Sequence, residues 1–475
     1  MKGKKVSINI IYNVVNQVVA LIVPLVLSPY VARVLSPELI GDYSYALANS
    51  SYFVLVESLG FSLYGMLRVA ENRDDKLYVS ALLKEIMTAK LVLMAGCIFV
   101  YMALFLRVSS SNKALALIMM LNIVSTGIDS TWFLTGMEDF KTTTLRNIAV
   151  RIANVLLVLL LVKSEKDFLL YAMIMQLSNV ISYIVVIPTL NKYIVPARMS
   201  IRHAVEHAKK SMVYVIPGLI NTIFSSADKT VLGSLADSYE VGVYEQASKI
   251  STLCGTVINS VSNVLLPRIT YLNKNKSADE AKALLFKTLR GATVVSIAMA
   301  AGIVCVAEDF VPFFFGEGYE KSVILLKILS VNVYMTILSN YIGQQCLISV
   351  GRQREYNIAI GFGAGLNLIL NILLVGKMQS VGVSLASLAA SVIICVFLLY
   401  FSRNRIRFRD LVSMGWKAVA ASVVMFIATS WVHTGSVGIT LACKILLGAM
   451  TYLVVLLLLH ESFLMDILKG IKPRR

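Results

Sequence analysis

The sequence predicts an all-α polytopic membrane protein of about fourteen transmembrane helices, and three observations carry that expectation. Hydrophobic residues make up 57% of the 475 and charged residues only 15%, too little polar surface to coat a water-soluble globule of this size. The apolar runs are near twenty residues long, the length that crosses roughly 30 Å of hydrocarbon as a helix. They also lack the period-two alternation of a membrane barrel, and a lone segment in lipid satisfies its own backbone only as a helix.

Taken in order, each span is an apolar run closed by charge or by glycine and proline. The first, 8–33, follows Lys2, Lys4 and Lys5. Its far end holds Pro24, Pro29 and Arg33 with no small-residue cleavage pattern, so it reads as an uncleaved helix rather than a signal peptide. Charged loops then separate 42–66, 85–106, 114–136, 146–162 and 168–188. The basic segment Asn191 to Lys210 leads to 212–234 and 242–266; Arg268 to Lys287, with Ala278 to Leu285 read as a short surface helix, leads to 288–307. An outer segment, Glu308 to Ser322, precedes 323–349, and 357–376, 382–402, 415–433 and 439–459 complete the set.

An even number of spans puts both termini on one side. Of the 44 lysines and arginines, those outside spans crowd into the two tails and alternate loops, whereas the opposite loops hold only Arg107, Lys113, Lys163, Lys166, Lys321 and Lys377. The positive-inside rule therefore makes the termini cytoplasmic. The net charge of +17 is mostly topology. No compact basic domain exists to bind nucleic acid, and anionic membrane lipids suit the basic loops. Six cysteines lie singly in apolar runs (Cys97, Cys254, Cys305, Cys346, Cys395, Cys443), the pattern of small core residues rather than disulfides or metal ligands.

An internal repeat appears when the first and seventh spans are superposed. Pro29-Tyr30-Val31-Ala32-Arg33 leads to Gly41-Asp42-Tyr43-Ser44-Tyr45-Ala46, and Asp228-Lys229-Thr230-Val231-Leu232-Gly233 leads to Gly242-Val243-Tyr244-Glu245-Gln246-Ala247. Both second helices open with GxYxxA. The expected organisation is a six-helix lobe over 1–205, a pseudo-symmetric six-helix lobe over 206–410, and a final helix pair with a basic tail over 411–475. Two such lobes around a central cavity are the architecture of alternating access.

Ionisable residues inside spans cost about 2.5–3.5 kcal/mol each on insertion scales and by default face a cavity or a partner. Here they are Arg33, Glu57, Lys90, Asp129, Arg151, Asp228, Lys229, Lys249 and Lys327, with Lys417 and Lys444 in the final pair. Cations predominate, as a cavity for an anionic group would require. In the eighth span Glu245, Lys249, Thr252, Thr256, Asn259 and Asn263 recur at helical spacing on one face. The seventh presents Tyr214, Gly218, Asn221, Ser225 and Asp228, and the first Asn9, Asn13, Asn16, Gln17 and Arg33. Each such residue has a plainer role available, an interhelical hydrogen bond worth about 1 kcal/mol. Asp228 with Lys229 also reads as a structural pair, and Lys90 and Arg151 as snorkelling side chains. Pro24, Pro29 and Pro217 suit either static kinks or hinges. Arg33 and Lys249 are the foremost cavity cations, with Glu57, Lys90, Asn221, Asp228, Lys229, Glu245, Thr252, Thr256 and Asn259 completing the candidate lining.

At Leu27 to Leu35 with Gly41 to Ala46, and at Ala227 to Gly233 with Gly242 to Tyr244, the chain resembles the polysaccharide transporter family, the O-antigen and capsular repeat-unit flippases of the multidrug/oligosaccharidyl-lipid/polysaccharide exporters. The likeness extends to the lengths and order of all spans. It implies transport of an undecaprenyl-diphosphate-linked oligosaccharide from the inner to the outer leaflet of a bacterial plasma membrane, with the diphosphate and glycan in a cationic cavity between two lobes and the lipid tail left in the bilayer. It further implies no bound cofactor, coupling to a proton or sodium gradient, and a polymerase as protein partner. A lipid II flippase and a cation-coupled small-molecule exporter are same-superfamily alternatives; arginine-rich early spans would favour the former and are sparse here. A membrane glycosyltransferase or polymerase would need a large outer loop with catalytic residues, and the longest outer segment, carrying Glu308, Asp309, Glu317, Glu320 and Lys321, is too short.

Overall fold

A computed structural model of the chain describes residues 2–108, 113–274 and 278–471, and all regular structure among them is helical. The chain forms two compact units, Met1–Gly233 and Ser234–Arg475.

Unit 1 begins with α1 (Lys2–Val34), which contains Pro24 and Pro29, and α2 (Pro37–Ser58). Leu59 and Gly60 take positive φ of 38° and 75°, so the chain breaks sharply before α3 (Phe61–Glu71). A Cβ at Gly60 would lie 2.5 Å from the Ser211 carbonyl oxygen, so both its φ and its close neighbour call for glycine. There follow α4 (Lys76–Val108), α5 (Lys113–Ile128), α6 (Thr131–Gly136), α7 (Phe140–Leu161), α8 (Phe168–Ile184), α9 (Ile187–Leu190), α10 (Ile201–Ser211) and α11 (Val215–Leu235). One end of the unit is closed by a core of Phe61, Tyr64, Val69, Val79, Leu82, Ile86, Trp132, Phe133 and Leu134. Phe99 and Leu160, by contrast, are 74% and 67% exposed, as helices bathed in lipid require.

Unit 2 contains α12 (Ser238–Lys274), α13 (Ala278–Phe315), α14 (Lys321–Ile342), α15 (Gln353–Phe401), α16 (Phe408–Ser430), α17 (Val437–Leu458) and α18 (Ser462–Ile471). At Gln379 (φ 51°, ψ −130°) α15 doubles back. Asn367 Nδ2 then donates to Ser387 Oγ at 3.2 Å, and Ile394 fills the space beside Gly363, so the two arms are antiparallel. The tip is fastened by Glu240, whose carboxylate accepts from the Ser380 backbone N–H (3.2 Å), the Ser380 hydroxyl and Lys321 Nζ (2.5 Å); Lys321 also donates to Gln379 Oε1 at 2.8 Å. The final pair packs on α13 through Val294, Ala418, Ala421, Met425, Tyr452 and Leu456.

Among the described residues, eleven helical stretches are long and apolar enough to cross a membrane. One of them is the doubled α15, and α11 and α12, of 21 and 37 residues, have spanning length as well. The expected duplication has a local counterpart: α1 ends at Val34 and α2 starts at Pro37, while α11 ends at Leu235 and α12 starts at Ser238, the same two-residue joint. Two expected boundaries are corrected. The stretch from Ala278 to Leu285 is no separate surface helix but the beginning of α13, which then runs on to Phe315, taking in the first half of the expected outer segment.

Candidate functional site

In unit 1 a buried charged group joins α2, α4 and the α5–α6 turn. Glu57 and Lys90 are 0% and 1% exposed. Lys90 Nζ donates to the Asp129 backbone carbonyl at 2.8 Å, and Glu57 interacts electrostatically with both Lys90 and Asp129. Asp129 is held by its own turn, accepting from Thr131 N–H (2.8 Å) and hydroxyl (2.7 Å). The Glu57 carboxylate oxygens have no hydrogen-bond donor among the described residues. Burying a carboxylate without donors is costly, and the only cation near it in this group is Lys90. The structure thus places Lys90 inside the protein with carboxylate neighbours, and the snorkelling alternative does not hold for it.

A second group joins α1 to α7. Arg151 donates to the Asn16 carbonyl (3.0 Å) and Asn147 Nδ2 to Asn16 Oδ1 (3.4 Å). Arg146 donates to Asn147 Oδ1 (2.5 Å) and to the Ser182 carbonyl (3.4 Å), and its guanidinium stands over the Tyr183 ring. Arg146 was not among the expected intramembrane cations, because hydropathy begins that span at 146. The signal for an earlier start is Asp139 before three threonines: its carboxylate caps α7 by accepting from Thr142 N–H at 3.3 Å, and the helix begins at Phe140. Burial pushes the Asp139 carboxyl up, but hydrogen bonds from Tyr193 and Thr142 outweigh it and hold the group below the usual carboxylate range.

Within the same unit α2 and α11 share a polar seam. Thr230 Oγ1 donates to Asn49 Oδ1 (3.3 Å), Tyr52 donates to Thr230 (3.2 Å), and Gly233 admits the Tyr45 ring where a Cβ would meet it at 2.2 Å. Asp228, buried, and Lys229, half-buried, adjoin this seam. The side chain of Asn221 lies outside the described residues, as do those of Asn9, Asn13, Pro217 and Asn263. Arg33 is exposed in the last turn of α1, where Tyr30 donates to the Val162 carbonyl at 2.6 Å. It therefore lies at the end of the unit from which the 163–167 loop emerges.

In unit 2 Lys249 stands 3.3 Å from Glu245, one turn away on α12. Glu245 is buried, Lys249 half-buried, and Thr252 and Thr256 are exposed along the same face. Asn259 accepts from Asn340 of α14 at 3.3 Å, and Thr256 donates to its own helix at the Thr252 carbonyl. The described part of the expected stripe, Glu245 to Asn259, follows one face of α12, and Asn259 within it serves helix packing. The cation surplus is smaller than hydropathy implied. Lys444 lies 2.5 Å from Asp309 and Lys327 2.7 Å from Glu308, because α13 carries those acids inside its last two turns instead of an outer loop. Lys417 donates to the His460 carbonyl. An apolar groove of about 590 Å³ runs between α13, α16 and α17, lined by Met299, Ile303, Ile445, Tyr452 and Leu453. Its lining suits a hydrocarbon chain, and its one lysine, Lys444, is already paired. No group of three or more His, Cys, Asp or Glu able to hold a metal occurs among the described residues.

Residues 6–273 match the family described as "Polysaccharide biosynthesis protein". The "Putative O-antigen transporter" of Escherichia coli (strain K12) is 24% identical over 413 residues, 85% of this chain and 99% of that protein. The "Capsular polysaccharide biosynthesis protein CapF" of Staphylococcus aureus is 21% identical over 384 residues, 79% of this chain and 93% of that one. Among solved structures, "Lipid II flippase MurJ, inward closed conformation" superposes with a TM-score of 0.77 at 16% identity, over 97% of this chain and 99% of that one, a likeness of fold.

Proposed function

Since the chain belongs to the polysaccharide biosynthesis protein family, we propose that it is a flippase for an undecaprenyl-diphosphate-linked oligosaccharide, carrying it from the cytoplasmic to the outer leaflet of a bacterial plasma membrane by alternating access. It is a multi-pass transporter and not an enzyme, as the relatives' names and the shared fold support. The observation that carries the reading is the match to an O-antigen transporter along 99% of that protein's length, in a chain whose spans hold arginine and lysine where lipid alone would exclude them.

A diphosphate brings about two negative charges, which arginine binds in bidentate fashion and lysine as a point charge. Arg33 in unit 1 and Lys249 in unit 2 are each, taken separately, assigned an interaction with the cargo's negative charge. Within unit 1 Asp228 and Lys229 of α11, and within unit 2 Thr252, Thr256 and Asn259 of α12, are assigned polar contacts with the cargo. Glu57 and Lys90, joined with Asp129, form a charged centre that couples transport to an ion gradient, through its protonation if the ion is a proton or through carboxylate binding of the cation if it is sodium. Both termini are cytoplasmic, the basic loops face anionic headgroups, and a polymerase receives the product. The apolar groove beside α13 has the chemistry for a polyprenyl tail.

The test is deletion of the gene followed by identification of the lipid-linked oligosaccharide that accumulates on the inner leaflet and restoration of surface polysaccharide by this chain. Intact surface glycan with no accumulation would refute the proposal. A lipid II flippase is the second reading, favoured by the fold likeness, and accumulation of lipid II instead would select it.

A further inference from the structure

The segment between the sixth and seventh predicted spans is fastened to unit 1 on one side and bare on another. Glu85 of α4 is 4% exposed. Its carboxylate accepts from the Ser200 backbone N–H at 3.1 Å and meets His207 Nε2 at 3.1 Å and His203 Nδ1 at 3.4 Å. Tyr64 hydroxyl lies 2.8 Å from His207 Nδ1. Lys84 Nζ donates to the Ala197 carbonyl (3.0 Å) and Val195 N–H to Ser80 Oγ (2.9 Å). Ala204 and Ser211 are buried on this docked side.

The neighbouring side of α10, and of the helical turn that directly continues it, is apolar and uncovered: Ile201 and Val205 are 71% and 51% exposed, and Met212, the residue just past the helix, is 57% exposed. At 100° per residue these three fall within an arc of about 40°. Arg202 and Lys209 border that arc on one side, whereas Lys210 lies across the helix, paired with Glu206 at 2.7 Å. In a water-soluble protein such a stripe would be a liability. Here it sits between membrane spans, bordered by cations, the pattern of a helix lying in a bilayer interface.

We propose that α10 is an interfacial helix, with Ile201, Val205 and Met212 seated at the headgroup–acyl boundary, and Arg202 and Lys209 on anionic phospholipid headgroups. Glu85 and the two histidines hold it there as a fixed strut against α4. The proposal rests on the membrane fold and not on the cargo assigned above, so it stands or falls independently of that reading.

The full chain, reconstituted in phosphatidylcholine vesicles with and without phosphatidylglycerol, tests it with two tryptophan variants, Val205→Trp and Glu206→Trp, each read after subtracting the parent emission. The tryptophan at 205 should emit to the blue and be quenched by brominated lipid, more strongly when the bromine is on phosphatidylglycerol. The tryptophan at 206 should emit as in water and escape quenching. Each cation removed by Arg202→Gln or Lys209→Gln should lower the enrichment of brominated phosphatidylglycerol about fivefold. Water-like, unquenched emission at 205, equal quenching at both positions, or no preference for the anionic lipid would overturn the proposal. So would a blue shift at 205 without quenching in a chain that cross-links as a dimer, which would make a second copy the occupant.

Discussion

Lys444 separates a structural cation from a substrate cation most sharply. Its side chain is 7% exposed and its Nζ lies 2.5 Å from Asp309 Oδ2, itself 19% exposed. Lys444→Met leaves the Asp309 carboxylate in a low-dielectric setting without its partner, a loss in the range of 3–5 kcal/mol for a buried pair. Because Asp309 keeps some access to solvent, the lower end, about 3 kcal/mol, is expected here. Lys444→Met with Asp309→Asn removes both charges together and should return to within about 1 kcal/mol of the parent. Equilibrium unfolding in mixed micelles, followed by tryptophan emission, measures both variants, and an export assay at matched abundance follows. The double variant should be stable and export normally. A double variant that is stable but exports nothing would show that Lys444 serves transport, and a single variant as stable as the parent would refute the buried-pair argument.

Three further outcomes are expected. Glu240→Ala removes the acceptor shared by Lys321 and Ser380 at the α15 tip and should cost about 2–4 kcal/mol, read by thermal unfolding; an unchanged midpoint would contradict the tip's role. Gly233→Ala drives a Cβ to 2.2 Å from the Tyr45 ring and should cost about 1–3 kcal/mol, largely relieved by Tyr45→Ala in the same chain, as a double-mutant cycle would show. Burial lowers the His207 pKa below its usual 6.5, more than Glu85 raises it. The unfolded state then binds the proton more readily, so the docking of α10 gains its full His207 contribution above pH 6.5 and loses it as pH falls through the depressed value. Protection factors of the amides over 200–211, that is, exchange corrected for its intrinsic pH dependence, should fall on acidification, and His207→Gln should flatten that dependence.

The joints between α1 and α2 and between α11 and α12 were legible in the sequence, because GxYxxA recurs at the same distance past the end of each preceding helix. The polar stripe of α12 was legible too, since helical periodicity is a property of the chain alone. Hydropathy failed where a charge was neutralised by a distant partner. Glu308 and Asp309 look like loop residues until Lys327 and Lys444 are seen beside them, and only then does α13 reach Phe315. Arg146 was hidden for a related reason: a strong charge at the edge of an apolar run marks a boundary in one dimension, whereas in three it rests on Tyr183 and Asn147. The Glu57–Lys90–Asp129 group was available only as three separate residues, for nothing in their spacing brings α2, α4 and the α5–α6 turn together.

The central claim is that intramembrane cations hold an anionic lipid-linked cargo. The most direct measurement is export of the lipid-linked oligosaccharide by Arg33→Ala and Lys249→Ala at normal abundance, set beside Lys192→Ala and Arg403→Ala in the loops. The account predicts that the first two abolish export, with oligosaccharide accumulating on the inner leaflet, while the loop changes leave it intact. Equal export by all four would contradict it.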